Sequence, residues 1–149
     1  MSRPADAAPA PEPALFPLWH LAHAADWEEA RASGAYAIST RGRTLEQEGF
    51  IHCAYPHQLG QVARAFYADD PEPLVVLELD RDALARHGVL VRVEEVPDAG
   101  GQRFPHVFGP VPPDAVASVR PAAFDEGGGL VLGTPEAPGP GGRQASPQP

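Results

Sequence analysis

Lysine is absent from this 149-residue chain. All 11 cations are arginines, scattered among 20 acidic residues, for a formal net charge of −9 and a pI near 5.0. Non-specific nucleic-acid binding runs on clustered Lys and Arg that displace phosphate counterions, so this composition excludes a general nucleic-acid coat protein. A pocket for a single phosphate group is still allowed. Cysteine is nearly absent too, and with Cys53 alone no intramolecular disulfide can form. No stretch approaches the roughly 20 apolar residues that a membrane helix needs. Met1 to Pro13 has one Arg and no apolar run of signal-peptide length. The expectation is a cytoplasmic protein with no membrane partner. Neither the Gly-x-Gly-x-x-Gly nor the Gly-x-x-x-x-Gly-Lys-Ser/Thr phosphate motif occurs, which removes the two commonest glycine-rich nucleotide cradles. Nothing in the sequence specifies an oligomeric state.

Proline and glycine, by contrast, are plentiful and crowd the ends. Residues 1–14 are Pro/Ala-rich, and residues 133–149 are Pro/Gly-rich with almost no apolar side chain. Such segments cannot bury enough surface to offset the entropy of ordering, so both are expected to be disordered tails around one domain at residues 15–132. Within it, Leu15 to Leu21 reads as a first strand, with Pro17 confining it to a start or an edge. Asp26 and Glu29 have capping-box spacing, predicting a helix to Ser33 stopped by Gly34. Tyr36 to Glu48 reads as a long polar loop. Phe50 to Cys53 reads as a short strand entered through Gly49. A second helix should bury Leu59, Val62, Ala63 and Phe66. Leu74 to Leu79 is the strongest strand signal, and Asp80 to Arg86 is a short helical turn before Gly88. Val89 to Val96 alternates as a half-buried strand does. Asp98 to Gly101 marks a hairpin turn into Phe104 to Phe108. Asp114 to Val119 closes the fold with a last strand, and Gly127-Gly128-Gly129 reads as a flexible exit. Strands separated first by helices and then by a hairpin predict an α+β fold: a small mixed or antiparallel split sheet with two main helices.

Three histidines stand in apolar strand contexts: His20 in LWHLA, His52 in FIHCA and His106 in FPHVF. Imidazole both donates and accepts hydrogen bonds and titrates near neutrality, so it suits ligand orientation and proton transfer alike. A three-His zinc site is the natural rival, but the helical His-x-x-x-His and the Cys-x-x-Cys are both missing. His20 and His23, three apart on a strand, point to opposite faces, and no metal is expected. Cys53 adjoins His52, but neighbouring strand residues also face opposite ways, so Cys53 reads as a buried structural thiol. Of the two carboxylates ending the later strand, Glu95 is the expected inward face-mate of Val93 and Glu94 the outward one.

Taken together, Leu18-Trp19-His20, the Asp26-Trp27 helix, Glu48-Gly49-Phe50-Ile51-His52-Cys53, Arg92-Val93-Glu94 and Phe104-Pro105-His106-Val107-Phe108-Gly109-Pro110 resemble the bacterial domain of unknown function 952 family, over essentially Leu15 to Phe124. That family is similar in fold to the ADP-ribosyltransferases, which bind NAD in a cleft between two small sheets. The layout also resembles their RNA 2′-phosphotransferase branch. The resemblance implies that His20, with Trp19 and Tyr36, holds the nicotinamide-side ribose. It implies too that His52 sits over the reacting ribose and that Glu94 or His106 completes the catalytic set. It does not extend to RNA 2′-phosphate transfer, because Leu21-Ala22 stand in place of Gly-Thr, Glu48 in place of an Arg, Phe50 in place of a His and Ala54 in place of a Ser. The expected function is therefore an ADP-ribosyltransferase-like enzyme that binds NAD or a related nucleotide and transfers ADP-ribose to a small molecule or protein. The alternatives are a non-catalytic ligand-binding descendant of that fold and a small His-dependent hydrolase or isomerase.

Overall fold

The apolar run around Trp19 becomes β1 (Leu18–His23), which begins just after Pro17 and lies at the edge of a four-stranded sheet ordered β1-β5-β8-β9. Its partners are β5 (Leu74–Leu79), β8 (Val116–Phe124) and β9 (Leu130–Leu132), every pair antiparallel. This computed structural model describes residues 16–97 and 100–137. The proposed tails outside those ranges, and Asp98 and Ala99 of the expected turn, lie outside the described residues. A second antiparallel sheet runs β4-β7-β6, from β4 (Ile51–His52), β7 (Arg103–Phe108) and β6 (Leu90–Glu95). Reciprocal backbone bonds between Trp19 and Ala54, at 2.9 and 2.8 Å, join the edges of the two sheets.

The two main helices are α1 (Ala24–Ser33) and α3 (Pro56–Tyr67); α2 (Leu45–Glu48) and α4 (Arg81–Arg86) are short. Each face of β1 and β5 packs against different material. Leu18, Ala22, Leu77 and Leu79 meet Trp27 and Ala30 of α1, Leu84 of α4, and Ile51 and Val107 of the smaller sheet. Leu21, Leu74 and Val76 meet Leu59, Ala63 and Tyr67 of α3 on the other side. A fully buried aliphatic side chain of this kind contributes roughly 1.5–3 kcal/mol, so α+β packing on both faces is what holds β1 in place. The fold is α+β with antiparallel sheets.

Local readings need several corrections. Helix α1 starts two residues before Asp26, with His23 as N-cap and no side-chain cap. The Ala24 amide is met instead by the Pro73 carbonyl at 2.9 Å, so a tertiary contact does the work assigned to the capping box. Gly34 does end α1, at φ 96. The expected loop from Tyr36 to Glu48 is a hairpin of β2 (Ile38–Thr40) and β3 (Arg43–Thr44) followed by α2, which carries a true capping box from Thr44 and Gln47. Along α3 the buried stripe is Leu59, Ala63 and Tyr67, each four residues on, while Phe66 is 49% exposed. The chain does not end its strands at Val119: β8 runs on to Phe124 and turns into β9. Gly127 to Gly129 form that turn, the Asp125 carboxylate accepting from the Gly127 and Gly129 amides at 3.0 and 2.8 Å. Backbone pairing continues past Leu132, where Glu136 exchanges two 2.8 Å bonds with Val119.

Candidate functional site

In β4 and β7 the register sets His52 directly opposite His106, so the two imidazoles emerge on one face. Their rings are edge-to-face with centroids 5.3 Å apart. Phe50 lies flat on His106, at 4.0 Å and 15°. Glu94, opposite Phe104 in β6, reaches the same face. A carboxylate can only accept, so the 2.7 Å contact between His106 Nδ1 and Glu94 Oε1 puts the proton on Nδ1. His106 Nε2 is buried and has no partner among the described residues. Glu94, expected outward, is partly buried on the face that bears the histidines and the buried Phe104. Glu95, expected inward, is exposed at the strand end opposite Arg103.

His20 projects from β1 into the core and is 2% exposed. Its Nδ1–H donates to the His52 carbonyl at 2.6 Å, and its Nε2 accepts from the Tyr36 hydroxyl at 2.8 Å. A carbonyl only accepts, so this pair of bonds selects the neutral Nδ1–H tautomer. Burial lowers the His20 pKa to about 4, and burial drives the Tyr36 phenol well above its usual range. Both nitrogens of His20 are therefore engaged inside the protein, and the geometry makes it a brace for the His52 backbone. The Tyr36 hydroxyl is likewise held by His20, and Tyr36 is 2% exposed.

The His52 ring is half-buried. Its Nε2 lies 3.8 Å from Glu48 Oε1, and Glu48 is paired with Arg43 at 2.6 Å. Burial, and then the neighbouring His106, lower the His52 pKa below the ordinary imidazole value, so the neutral ring is favoured. Cys53 turns to the opposite side. It is 4% exposed, its amide bonds the Pro105 carbonyl at 3.0 Å, and burial pushes its thiol pKa upward. A thiol held protonated in this way is not a nucleophile. Among the described residues no three His, Cys, Asp or Glu side chains gather as a metal-ligand set.

A cavity of about 250 Å³ opens beside His52, walled by β1, β2, β4, α3 and the β6–β7 hairpin. Trp19, His20 and His52 line it, together with Ser39, Phe66 and Phe104; Tyr36, Glu94 and His106 are not in its wall. The structure thus joins His20 and His52 at one hollow and keeps His106 immediately behind His52. Sequence reasoning missed Glu48 as a partner of His52, Phe50 as the stacking plate and Ser39 in the wall. Glu48 ends α2 and His52 lies in β4, so no single local periodicity links that pair.

Residues 21–119 match the family model described as "Protein of unknown function (DUF952)". The chain belongs to this family. The DUF952 domain is similar in fold to a solved structure, protein CC0527 from Caulobacter crescentus, at 23% identity and a TM-score of 0.64, covering 77% of this chain and 93% of that one. A double-mutant form of CC0527 gives the same identity and coverage, with a TM-score of 0.63. No curated protein matches the chain. Within the domain, no helix among the described residues is long and apolar enough to cross a membrane.

Proposed function

We propose that this DUF952 domain binds NAD or a related nucleotide with its nicotinamide riboside end in the cavity beside His52, and transfers ADP-ribose to a small molecule or protein. The observation that carries the reading is the half-exposed, largely neutral His52 standing at an aromatic-walled hollow with the Glu48 carboxylate beside it. In the reaction the bond from C1′ to the nicotinamide nitrogen breaks, and nicotinamide leaves with the electron pair. The acceptor's nucleophile bonds to C1′, and its proton passes to His52 Nε2. Glu48 offsets the positive charge that grows on the ribose and on His52. His20 serves as a positioning residue and Glu94 as the holder of His106, in place of the direct contacts expected from sequence. At about 250 Å³ the cavity falls below the roughly 300–1,000 Å³ that enclose a drug-sized ligand. It suits a nucleoside-sized fragment, and the adenosine half of NAD would lie outside.

A second reading, a hydrolase or isomerase that needs no NAD, draws on one observation. Glu94 orients His106 through Nδ1 and leaves Nε2 unpartnered, as a carboxylate orients a general base. Calorimetric titration of the full chain with NAD, followed by mass spectrometry of candidate acceptors, separates the two. Heat at millimolar NAD and turnover abolished by His52→Ala are expected from the first. No heat from folded protein at millimolar NAD would overturn it.

A further inference from the structure

Strand β6 closes one side of the β4-β7-β6 sheet, and no strand among the described residues pairs with its outer edge. The phase of that edge follows from Pro105, which lies opposite Val93 and has no amide hydrogen to give. The Pro105 carbonyl is turned the other way, accepting from the Cys53 amide at 3.0 Å. Val93 therefore points its own N–H and C=O outward, and Val91 and Glu95, two residues either side, do the same. The Val93 carbonyl accepts instead from the exposed Arg103 side chain, at 3.0 Å. Between these positions stand Arg92 and Glu94, which share the histidine face. Arg92 is exposed and has no ion pair among the described residues. Glu94 spends Oε1 on His106 and keeps Oε2. Leu90, on the same face, is 50% exposed. An unpaired edge of this kind is a template for another strand.

We infer that β6 is a self-pairing edge: a second copy of this chain adds its β6 antiparallel to the first, about a twofold axis at Val93. In that register Val91, Val93 and Glu95 exchange about six backbone hydrogen bonds with the partner's edge. Arg92 of each copy lies across from the partner's Glu94, in the more closely spaced kind of pair. Leu90 lies across from the partner's Val96 and is covered. The charges select this axis over its neighbours. An axis at position 92 sets Arg92 against Arg92, and an axis at 94 sets Glu94 against Glu94, both like-charge contacts. Arg103 must leave the Val93 carbonyl, which returns an exposed side chain to water. The partner copy thereby contributes to the site, because its Arg92 meets the carboxylate that holds His106. An edge of six residues makes a small interface of the transient class. The inference goes beyond ADP-ribose transfer and does not rest on it.

The test is sedimentation equilibrium of the full chain from about 1 µM to about 1 mM. The mass should rise from 15.8 kDa towards twice that value. Arg92→Glu and Glu94→Arg should each stay monomeric alone, because like charges then face each other across the axis. Mixed in equal amounts the two variants should associate, since both cross pairs again join opposite charges. Val93→Cys should cross-link to itself under mild oxidation, its Cα atoms being about 5.5 Å apart across the axis. Arg92→Cys, which faces position 94 of the partner, should not. If Glu94→Arg does not fold by circular dichroism, the two cysteine variants decide. A native chain still monomeric at the highest concentration would overturn the inference. So would native-like association of Arg92→Glu, a mixture of folded variants that stays monomeric, or cross-linking of Arg92→Cys as fast as that of Val93→Cys.

Discussion

His20 donates to the carbonyl of His52 across 2.6 Å, from the edge strand of one sheet to the edge strand of the other. With Tyr36 on its second nitrogen at 2.8 Å, His20 fixes the backbone from which the His52 ring projects. It braces the site, and both of its ring nitrogens are already engaged by protein groups. Replacing it by Ala strands a buried carbonyl and a buried phenol and opens a void. His20→Ala should therefore cost about 3 kcal/mol, read as a lowered urea midpoint with an unchanged slope.

The same residue sets an acid limit. Its folded-state pKa of about 4 lies below the roughly 6.5 of an exposed imidazole, so below pH 6.5 the unfolded chain takes a proton that the folded chain refuses. Stability from this group is complete above pH 6.5 and is lost as pH falls toward 4, by about 3 kcal/mol in all. Urea midpoints measured from pH 7 to pH 4 should fall with that sign in the native chain. In His20→Gln the fall should be shallower.

His52 is half-buried, and its backbone carbonyl, which His20 needs, survives any side-chain change. His52→Ala should unfold within about 1 kcal/mol of the native chain and yet abolish the NAD-dependent turnover that we propose. Full turnover by a folded His52→Ala protein would remove this residue from the chemistry.

Glu94 and His106 form a pair with one partner buried and the other half-exposed, at 2.7 Å. A double-mutant cycle of Glu94→Ala and His106→Ala should give a coupling of about 1 kcal/mol. A coupling near zero in chemical denaturation would mean that Glu94 does not hold the ring.

Burial raises the Cys53 thiol pKa and shields the sulfur. Thiol reagents at pH 8 should leave native Cys53 unlabelled for as long as the chain stays folded and label it fully in denaturant. Rapid labelling of native protein would contradict the burial.

Much of the framework was legible before any coordinates. Gly34 stands at the end of α1 with a positive φ, 96, which a side chain resists. Leu74 to Leu79 carry a strand's apolar signature. Two of the misreadings fall where a distant segment overrides a local pattern. The Asp26 capping box yielded to the Pro73 carbonyl, which satisfies the amide of Ala24 instead. Phe66 lost its expected burial because the stripe facing β1 is Leu59, Ala63 and Tyr67, leaving Phe66 at the cavity wall.

The order of residues alone therefore decided that Leu74 to Leu79 is a strand, that α1 stops at Gly34 and that three imidazoles sit in apolar strands, because these depend on side-chain pattern and glycine conformation within a few residues. Tertiary structure decided which imidazole has a ring nitrogen left without a protein hydrogen bond at the cavity. His20 is silenced by bonds to residues 16 and 32 positions away, and His106 is claimed by a carboxylate 12 positions away. A ring nitrogen's availability depends on what lies within 3 Å of it, and that neighbourhood exists only once the two sheets have come together.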